Sequence, residues 1–135
     1  MPWTLPLAKR LPSHVGLDGD RFRPSPANPN FVNSQVEPGA AGYVTPLHYE
    51  GTRDHAHGIV LAVLYDDPRA TLKIVRDDYI HAEYQAMMFI DDVEFYFPTD
   101  RKEVDIRSGS RVGRSDLGAN QRRYRKLAAA FSSRL

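Results

Sequence analysis

The chain contains no cysteine among its 135 residues. That absence excludes disulfide bonds, thiolate metal sites and cysteine nucleophiles from any account of the protein. The sequence also lacks a long apolar run at its start, because the first twenty residues hold no stretch long enough for a signal peptide or a membrane span. We therefore expect a soluble, cytoplasmic protein without a membrane span.

A strong charge of one sign is missing as well, since the formal net charge is +1. The charges are nevertheless uneven: residues 66–100 hold three basic and nine acidic side chains, whereas residues 101–135 hold ten basic and three acidic ones. A domain that binds nucleic acid is normally strongly basic. We therefore expect the two segments to neutralise each other within the fold, and we do not expect nucleic acid as a partner.

The N-terminal part of the chain is rich in proline, with eight of the ten prolines in residues 1–50. Proline lacks a backbone N–H and restricts the residue before it, so long helices and strands are not expected there. Aromatic and aliphatic residues among the prolines would anchor the segment: Phe22, Phe31, Val32, Tyr43 and Tyr49. We predict that residues 1–50 form an extended, proline-rich, irregular arm packed on an α+β domain of residues 51–135, giving a single domain overall.

Residues 51–135 show the periodicities of helices and strands. One helix is predicted in GTRDHAHGIVLAVLYDD, capped by Thr52 or Asp54, and another in SDLGANQRRYRKLAAAF, capped by Ser115 or Asp116. Between them, four runs alternate apolar and polar residues, which is typical of a sheet with one buried face. These runs are ATLKIVR, YIHAEYQA, DDVEFYF and EVDIRSGS. We predict a four-stranded antiparallel meander with two helices packed on one face.

The same alternation predicts which residues lie opposite each other in the meander. If residues 87–90 form a loop, the facing pairs of that hairpin are Gln85–Asp92, Glu83–Glu94 and His81–Tyr96. The next hairpin then pairs Glu94 with Arg107 and Tyr96 with Asp105. Two carboxylates directly opposite each other destabilise a sheet, so Glu83 and Glu94 require a compensating arginine or ligand.

The polar face of this sheet is the predicted functional surface. We expect a non-enzymatic module that binds a small polar or anionic molecule or a protein partner there. Two alternatives stay open: an acid–base or metal-assisted enzyme using His81, Glu83 and Glu94, or a purely structural ladder of ion pairs. The ligand-binding candidates on the face and its rim are His81, Glu83, Asp92, Glu94, Arg107, Ser110, Arg111, Ser115, Asp116 and Asn120.

Other motifs give weaker signals. His55 and His57 would diverge on a helix, so we predict no metal site and no other cofactor. The glycines before the second predicted helix lack phosphate-loop spacing, although Arg111, Arg114 and Ser115 at a helix start suit an anion. The basic stretch QRRYRK is expected to be the solvated face of that helix.

Three segments together resemble a known family: PNFVNSQ, DDYIHAEYQAMMFIDDVEFYF and VDIRSGSRVGRSDLGANQRRYRKL. In order and spacing they are similar to the domain-of-unknown-function family 1499, small proteins of bacteria and plants, over residues 24–131. Phe31 stands where that family usually has a cysteine, which argues against a cysteine-based role. Many relatives carry a membrane anchor or export signal, so their location does not transfer. The resemblance implies no activity, but it implies motif positions at His81, Glu83, Asp91, Asp92, Glu94, Arg107, Ser108, Ser110, Arg111, Ser115, Asp116 and Asn120.

Overall fold

A computed structural model of the chain describes residues 11–25, 31–86, 89–111 and 118–135. Within these ranges the fold is α+β, with two helices and antiparallel strands, which confirms the predicted class. The elements in chain order are β1 (Leu17–Asp18), β2 (Arg21–Phe22), β3 (Phe31–Asn33), β4 (Leu47–His48), α1 (Arg53–Tyr65), β5 (Ala70–Val75), β6 (Tyr79–Ala86), β7 (Phe89–Tyr96), β8 (Glu103–Ser110) and α2 (Ala119–Ser133).

Strands β5 to β8 form the predicted antiparallel meander, but the sheet is larger than predicted. In the described part of the chain it has six strands, in the order β3-β8-β7-β6-β5, with β4 also paired to β8. Val32 of β3 lies opposite Ser108, and Leu47 of β4 lies opposite Val104. The prediction of four strands was wrong because β3 and β4 have three and two residues, too few to show an alternating pattern.

The proline-rich part of the chain is more regular than an irregular arm where the structure describes it. Strands β1 and β2 pair as a short antiparallel hairpin, and β3 and β4 belong to the main sheet. Residues 1–10 and 26–30 lie outside the described residues. The division into an arm of residues 1–50 and a domain of residues 51–135 stays a prediction.

Strand β7 begins earlier than predicted. Positions 89 and 90, which were predicted to be loop, already belong to β7. The register therefore differs by two residues from the predicted one, and the predicted facing pairs of this hairpin are wrong. Side chains alternate with a period of two, so the shift leaves each of them on its predicted face. The observed pairs include His81–Glu94, Glu83–Asp92 and Tyr79–Tyr96.

The other two hairpins match the prediction. Asp77 and Asp78 connect β5 to β6, with main-chain hydrogen bonds between Arg76 and Tyr79 on either side of them. In the β7–β8 hairpin Glu94 lies opposite Arg107, as predicted from the alternation of the two strands. The charged pair at the centre of the sheet is therefore correctly predicted, although its neighbour on β6 is not.

Both helices cover one face of the sheet, and their apolar residues complete the core on that side. From the helices, Ile59, Val60, Leu127 and Phe131 are buried there. Burial of each such side chain contributes about 1.5–3 kcal/mol relative to exposure. The facing positions of β6, β7 and β8 are Ile80, Ala82, Val93, Phe95, Val104 and Ile106.

The two helices begin differently. Thr52 caps α1 as predicted, since its hydroxyl oxygen accepts a hydrogen bond from the N–H of His55 at 3.1 Å. Helix α2 begins at Ala119, after Gly118 with φ of 81°, and no side chain of the described residues caps it. The prediction of a cap at Ser115 or Asp116 places the helix start too early, and these two residues lie outside the described part of the chain.

Gly42 allows the chain to pass close to β3, and its replacement tests this contact. It has φ of 81°, and a Cβ atom added there would lie 2.5 Å from the carbonyl oxygen of Phe31. We expect Gly42→Ala to lower the free energy of unfolding by about 3 kcal/mol, from backbone strain plus this contact. Gly39 is the matched control, because it has φ of 94° with open space around it.

For Gly39→Ala we expect a loss of about 1–2 kcal/mol, from the left-handed backbone alone. Urea denaturation of both variants measures the difference. Equal losses would show that the approach of Gly42 to the Phe31 carbonyl contributes nothing.

Candidate functional site

The sheet face opposite the helices carries six of the predicted site residues, and residues 11–25 make contacts across it. Four of these six are buried as fully as core residues: Arg107, Glu94 and His81 are each 1 % exposed, and Asp92 is 4 % exposed. Charged groups buried to this degree require hydrogen-bond partners, because transferring them from water is otherwise strongly unfavourable.

Arg107 is at the centre of this face, and its guanidinium donates hydrogen bonds to three different residues. Its Nη2 atom is 2.6 Å from Oε1 of Glu94, and its Nε donates to the same oxygen at 2.8 Å. Its Nη1 donates to the main-chain carbonyl of Arg23 at 2.6 Å, and Nη2 donates to that of His14 at 2.9 Å. The ring of Phe22 lies 4.9 Å from the guanidinium carbon. The positive charge is thus enclosed by one carboxylate, two carbonyls and an aromatic ring.

The buried carboxylate of Glu94 also has hydrogen-bond partners in addition to Arg107. Its Oε2 atom accepts hydrogen bonds from the main-chain N–H of Gly16 at 2.8 Å and from the Tyr79 hydroxyl at 2.6 Å. Burial, and then the negative charge of Glu94, raises the pKa of Tyr79 well above its ordinary value, so this hydroxyl stays a donor at neutral pH. Arg107 and Glu94 together therefore bind three main-chain groups of residues 11–25.

A second cluster, Glu83, Asp92, His81 and Arg111, lies beside the first. Glu83 faces Asp92 across β6 and β7, so two carboxylates are opposed, though not the predicted two. Arg111 resolves this repulsion: its Nη2 atom lies 2.5 Å from Oε2 of Glu83 and 2.9 Å from Oδ1 of Asp92. His81 completes the cluster, with Nε2 2.7 Å from Oδ1 of Asp92.

This second cluster shifts two pKa values. Burial by itself would raise the pKa of Asp92, but hydrogen bonds from His81 and Arg111 outweigh burial and hold that pKa below its ordinary value of 3.8. Burial likewise opposes the charge on Arg111, yet Asp92 and Glu83 raise its pKa above the ordinary value. Asp92 and Arg111 are thus both charged at neutral pH and form an ion pair.

His14 was not among the predicted site residues. Its carbonyl accepts from Arg107, and its ring stands edge-on to that of Phe31, with the centroids 5.3 Å apart. Burial and then the positive charge of Arg107 lower the pKa of this imidazole, so it is neutral at pH 7. Gly16 and Arg23 were missed as well, because they contribute main-chain atoms, which leave no signal in a pattern of side chains.

The predicted site residues do not form one site. Ser110 and Asn120 lie on the helix-covered side, where the Nδ2 atom of Asn120 donates to Oγ of Ser110 at 3.1 Å. Arg123 joins them by donating to Oδ1 of Asn120 at 2.9 Å, and it also pairs with Asp91 at 2.9 Å. The structure therefore separates these two residues from the Arg107 face, and Ser115 and Asp116 lie outside the described residues.

His81 has the geometry of an oriented imidazole. Asp92 engages Nε2, and Nδ1 is buried without a hydrogen-bond partner in the described part of the chain. A carboxylate that orients one ring nitrogen leaves the other available for proton transfer.

Across the described ranges, no group of three or more histidine and carboxylate side chains is placed to hold a metal ion. None of the helices described there has the length and apolar character needed to cross a membrane.

The shifted pKa of Asp92 predicts a dependence of stability on pH. A carboxyl whose pKa is lowered by folding contributes stability above its unfolded pKa, 3.8, and loses it as the pH falls through the folded value. We expect the free energy of unfolding of the wild type to fall more steeply between about pH 5 and pH 2 than that of Asp92→Asn. Urea denaturation across this range measures both curves, and parallel curves would contradict the assignment.

Comparison with known proteins places the chain in a family. A family model described as a protein of unknown function (DUF1499) matches residues 21–131. No protein with a curated description matches the chain. The matched range includes the polar sheet face and both helices, and it agrees with the resemblance seen in the three sequence segments. The chain belongs to the DUF1499 family of proteins of unknown function.

Proposed function

We propose that this domain is a non-enzymatic binding module whose polar sheet face binds a hairpin-shaped segment of protein main chain. Residues 11–25 of the chain itself occupy that face. One observation carries the proposal: the buried Glu94–Arg107 pair bonds to the main-chain carbonyls of His14 and Arg23 and to the N–H of Gly16. Main-chain groups are common to all peptides, so a partner's segment has the atoms needed to replace residues 11–25.

The charge of the face supports binding over a purely structural role. A buried ion pair is a weak source of stability, and well-packed apolar residues in its place are often neutral or stabilising. An apolar face would, however, be exposed to aggregation whenever its cover left. Arg107 and Glu94 tolerate water, so this face stays compatible with solvent when residues 11–25 are displaced.

A protein partner suits this face better than a small molecule. Main-chain and side-chain groups of residues 11–25 already satisfy Arg107, so a small ligand would have to replace several bonds at once. A peptide that folds back as a hairpin, as residues 14–23 do, offers carbonyl and N–H groups from both of its arms at the required positions.

Acid–base chemistry at His81 is a second candidate function. It is favoured by the buried Nδ1 atom, which has no hydrogen-bond partner in the described residues, and by the orienting carboxylate of Asp92. The ring is 1 % exposed, so a substrate would reach it only after the covering residues move.

Hydrogen exchange tests whether residues 11–25 leave the face. The N–H of Gly16 bonds to Glu94, and that of Arg23 bonds to the carbonyl of Gly16 at 2.9 Å. We expect these two amides to exchange through a local opening, with a lower free energy than the amides of β7, which exchange through global unfolding. The same free energy and the same denaturant dependence for both sets would contradict the proposal and leave the face structural.

A substitution in the covering segment adds a competition experiment. Gly16 has φ of 127°, a backbone conformation that residues with a side chain rarely adopt, so Gly16→Ala should loosen the segment and speed exchange at Arg23 about tenfold. Gly19→Ala is the control, since its Cβ would meet nothing within 4 Å. A synthetic peptide of residues 11–25 should bind the Gly16→Ala variant. Absence of peptide binding would count against the proposal.

A further inference from the structure

A cleft lies between the beginning of α1 and the segment that joins β7 to β8. Its volume is about 420 Å³, within the range of small-molecule sites. None of its residues belongs to the polar clusters around Arg107 and Arg111, so the cleft is a separate feature of the fold. The lining residues are Tyr49, Gly51, Arg53, Pro98, Thr99, Asp100, Arg101 and Lys102.

Arg53, the first residue of α1, is the group in this cleft that indicates a ligand. Its side chain is half-buried, and its Nε atom is buried with no hydrogen-bond partner in the described residues. None of the ion pairs among those residues includes Arg53. Buried N–H groups normally have an acceptor, so this guanidinium lacks a partner that an occupant of the cleft can supply.

The other two cations of the cleft differ in their pairing. Lys102 donates to the carbonyl of Gly51 at 2.9 Å and pairs with no carboxylate in the described part of the chain. Arg101, by contrast, is already engaged by three carboxylates at 2.6–3.5 Å: Asp100, Glu103 and Asp105. Arg53 and Lys102 are therefore the two cations that an anion can reach without breaking an ion pair.

The carboxylates around Arg101 limit the charge that the cleft accepts. Three cationic side chains line the cleft, and the three carboxylates that pair with Arg101 balance them, so the formal charge of this set is zero. A neutral set attracts no anion over long range, and Asp100 repels a dianion at close range. Recognition must come from direct contact with Arg53, which favours an occupant with a single negative charge.

Apolar surface lies beside these two cations. Tyr49 is 2 % exposed and Pro98 is buried, and both line the cleft. Sites for small molecules typically combine such surface with a few charged groups that fix the orientation of the ligand. An occupant that satisfies the whole cleft therefore has one anionic group and an apolar body.

We propose that this cleft binds a small monocarboxylic acid with an apolar body. The two carboxylate oxygens accept hydrogen bonds from the planar guanidinium of Arg53, and Lys102 adds a point charge. The apolar body packs on Tyr49 and Pro98. The proposal is independent of peptide binding at the Arg107 face, because the two sites share no residue.

NMR titration of the full, ¹⁵N-labelled chain tests the site, with phenylacetate as the probe and phenylacetamide as its neutral counterpart. We expect saturable changes in the amide shifts of Gly51, Arg53 and Thr99 on addition of phenylacetate. Phenylacetamide should bind about tenfold more weakly or not at all, because only a carboxylate forms charge-assisted hydrogen bonds with a guanidinium.

Four variants assign the binding to particular side chains. Arg53→Gln should weaken phenylacetate binding about tenfold, and Arg53→Lys should also weaken it, since lysine keeps the charge but loses the planar fork. Asp100→Asn should strengthen binding about twofold by removing a repelling carboxylate. Arg125→Gln is the matched control, because Arg125 is an exposed residue of α2 that does not line the cleft. The same spectra show that each variant is folded.

Three results would overturn the proposal. The first is no binding of phenylacetate, or equal binding of phenylacetate and phenylacetamide. The second is full affinity in Arg53→Lys, or equal weakening by Arg53→Gln and Arg125→Gln, since either shows attraction by charge alone. The third is tighter binding of phenyl phosphate than of phenylacetate, because the cleft would then select a dianion.

Discussion

Arg107 and Glu94 are buried side by side in the middle of the sheet. Because buried charges require hydrogen-bond partners, this pair determines which groups pack on that face. Between them they engage three main-chain groups of residues 11–25, a tyrosine hydroxyl and an aromatic ring. Glu94 and Arg107 are each 1 % exposed, so water does not solvate either charge. The charge pair therefore holds the covering segment by hydrogen bonds, and when the segment leaves, water or another main chain must replace those bonds.

The two faces of the sheet thus differ in character. One face is apolar and packs against two helices, which gives the domain its core. The other is polar, contains the Glu94–Arg107 and Asp92–Arg111 ion pairs, and is covered by main-chain groups of residues 11–25.

The alternation of β7 and β8 was enough to predict the Glu94–Arg107 pair, because side chains on one face of a sheet recur with period two. A shift of two residues in the β6–β7 hairpin leaves every side chain on the same face, so the alternation could not distinguish the two registers. Whether His81 lies opposite Glu94 or Tyr96 depends on how many residues separate the two strands. The covering of the face was not predictable, since His14, Gly16 and Arg23 act through atoms that every residue has.

The central claim is that Glu94 and Arg107 act as a coupled pair, and a double-mutant cycle tests it most directly. Glu94→Gln and Arg107→Gln should each lower the free energy of unfolding by about 3–5 kcal/mol, because each leaves a buried charge without its counterpart. The double variant holds two neutral amides and should lose little more than either single variant, so the two losses are far from additive. Additive losses, measured by urea denaturation at neutral pH, would contradict the claim.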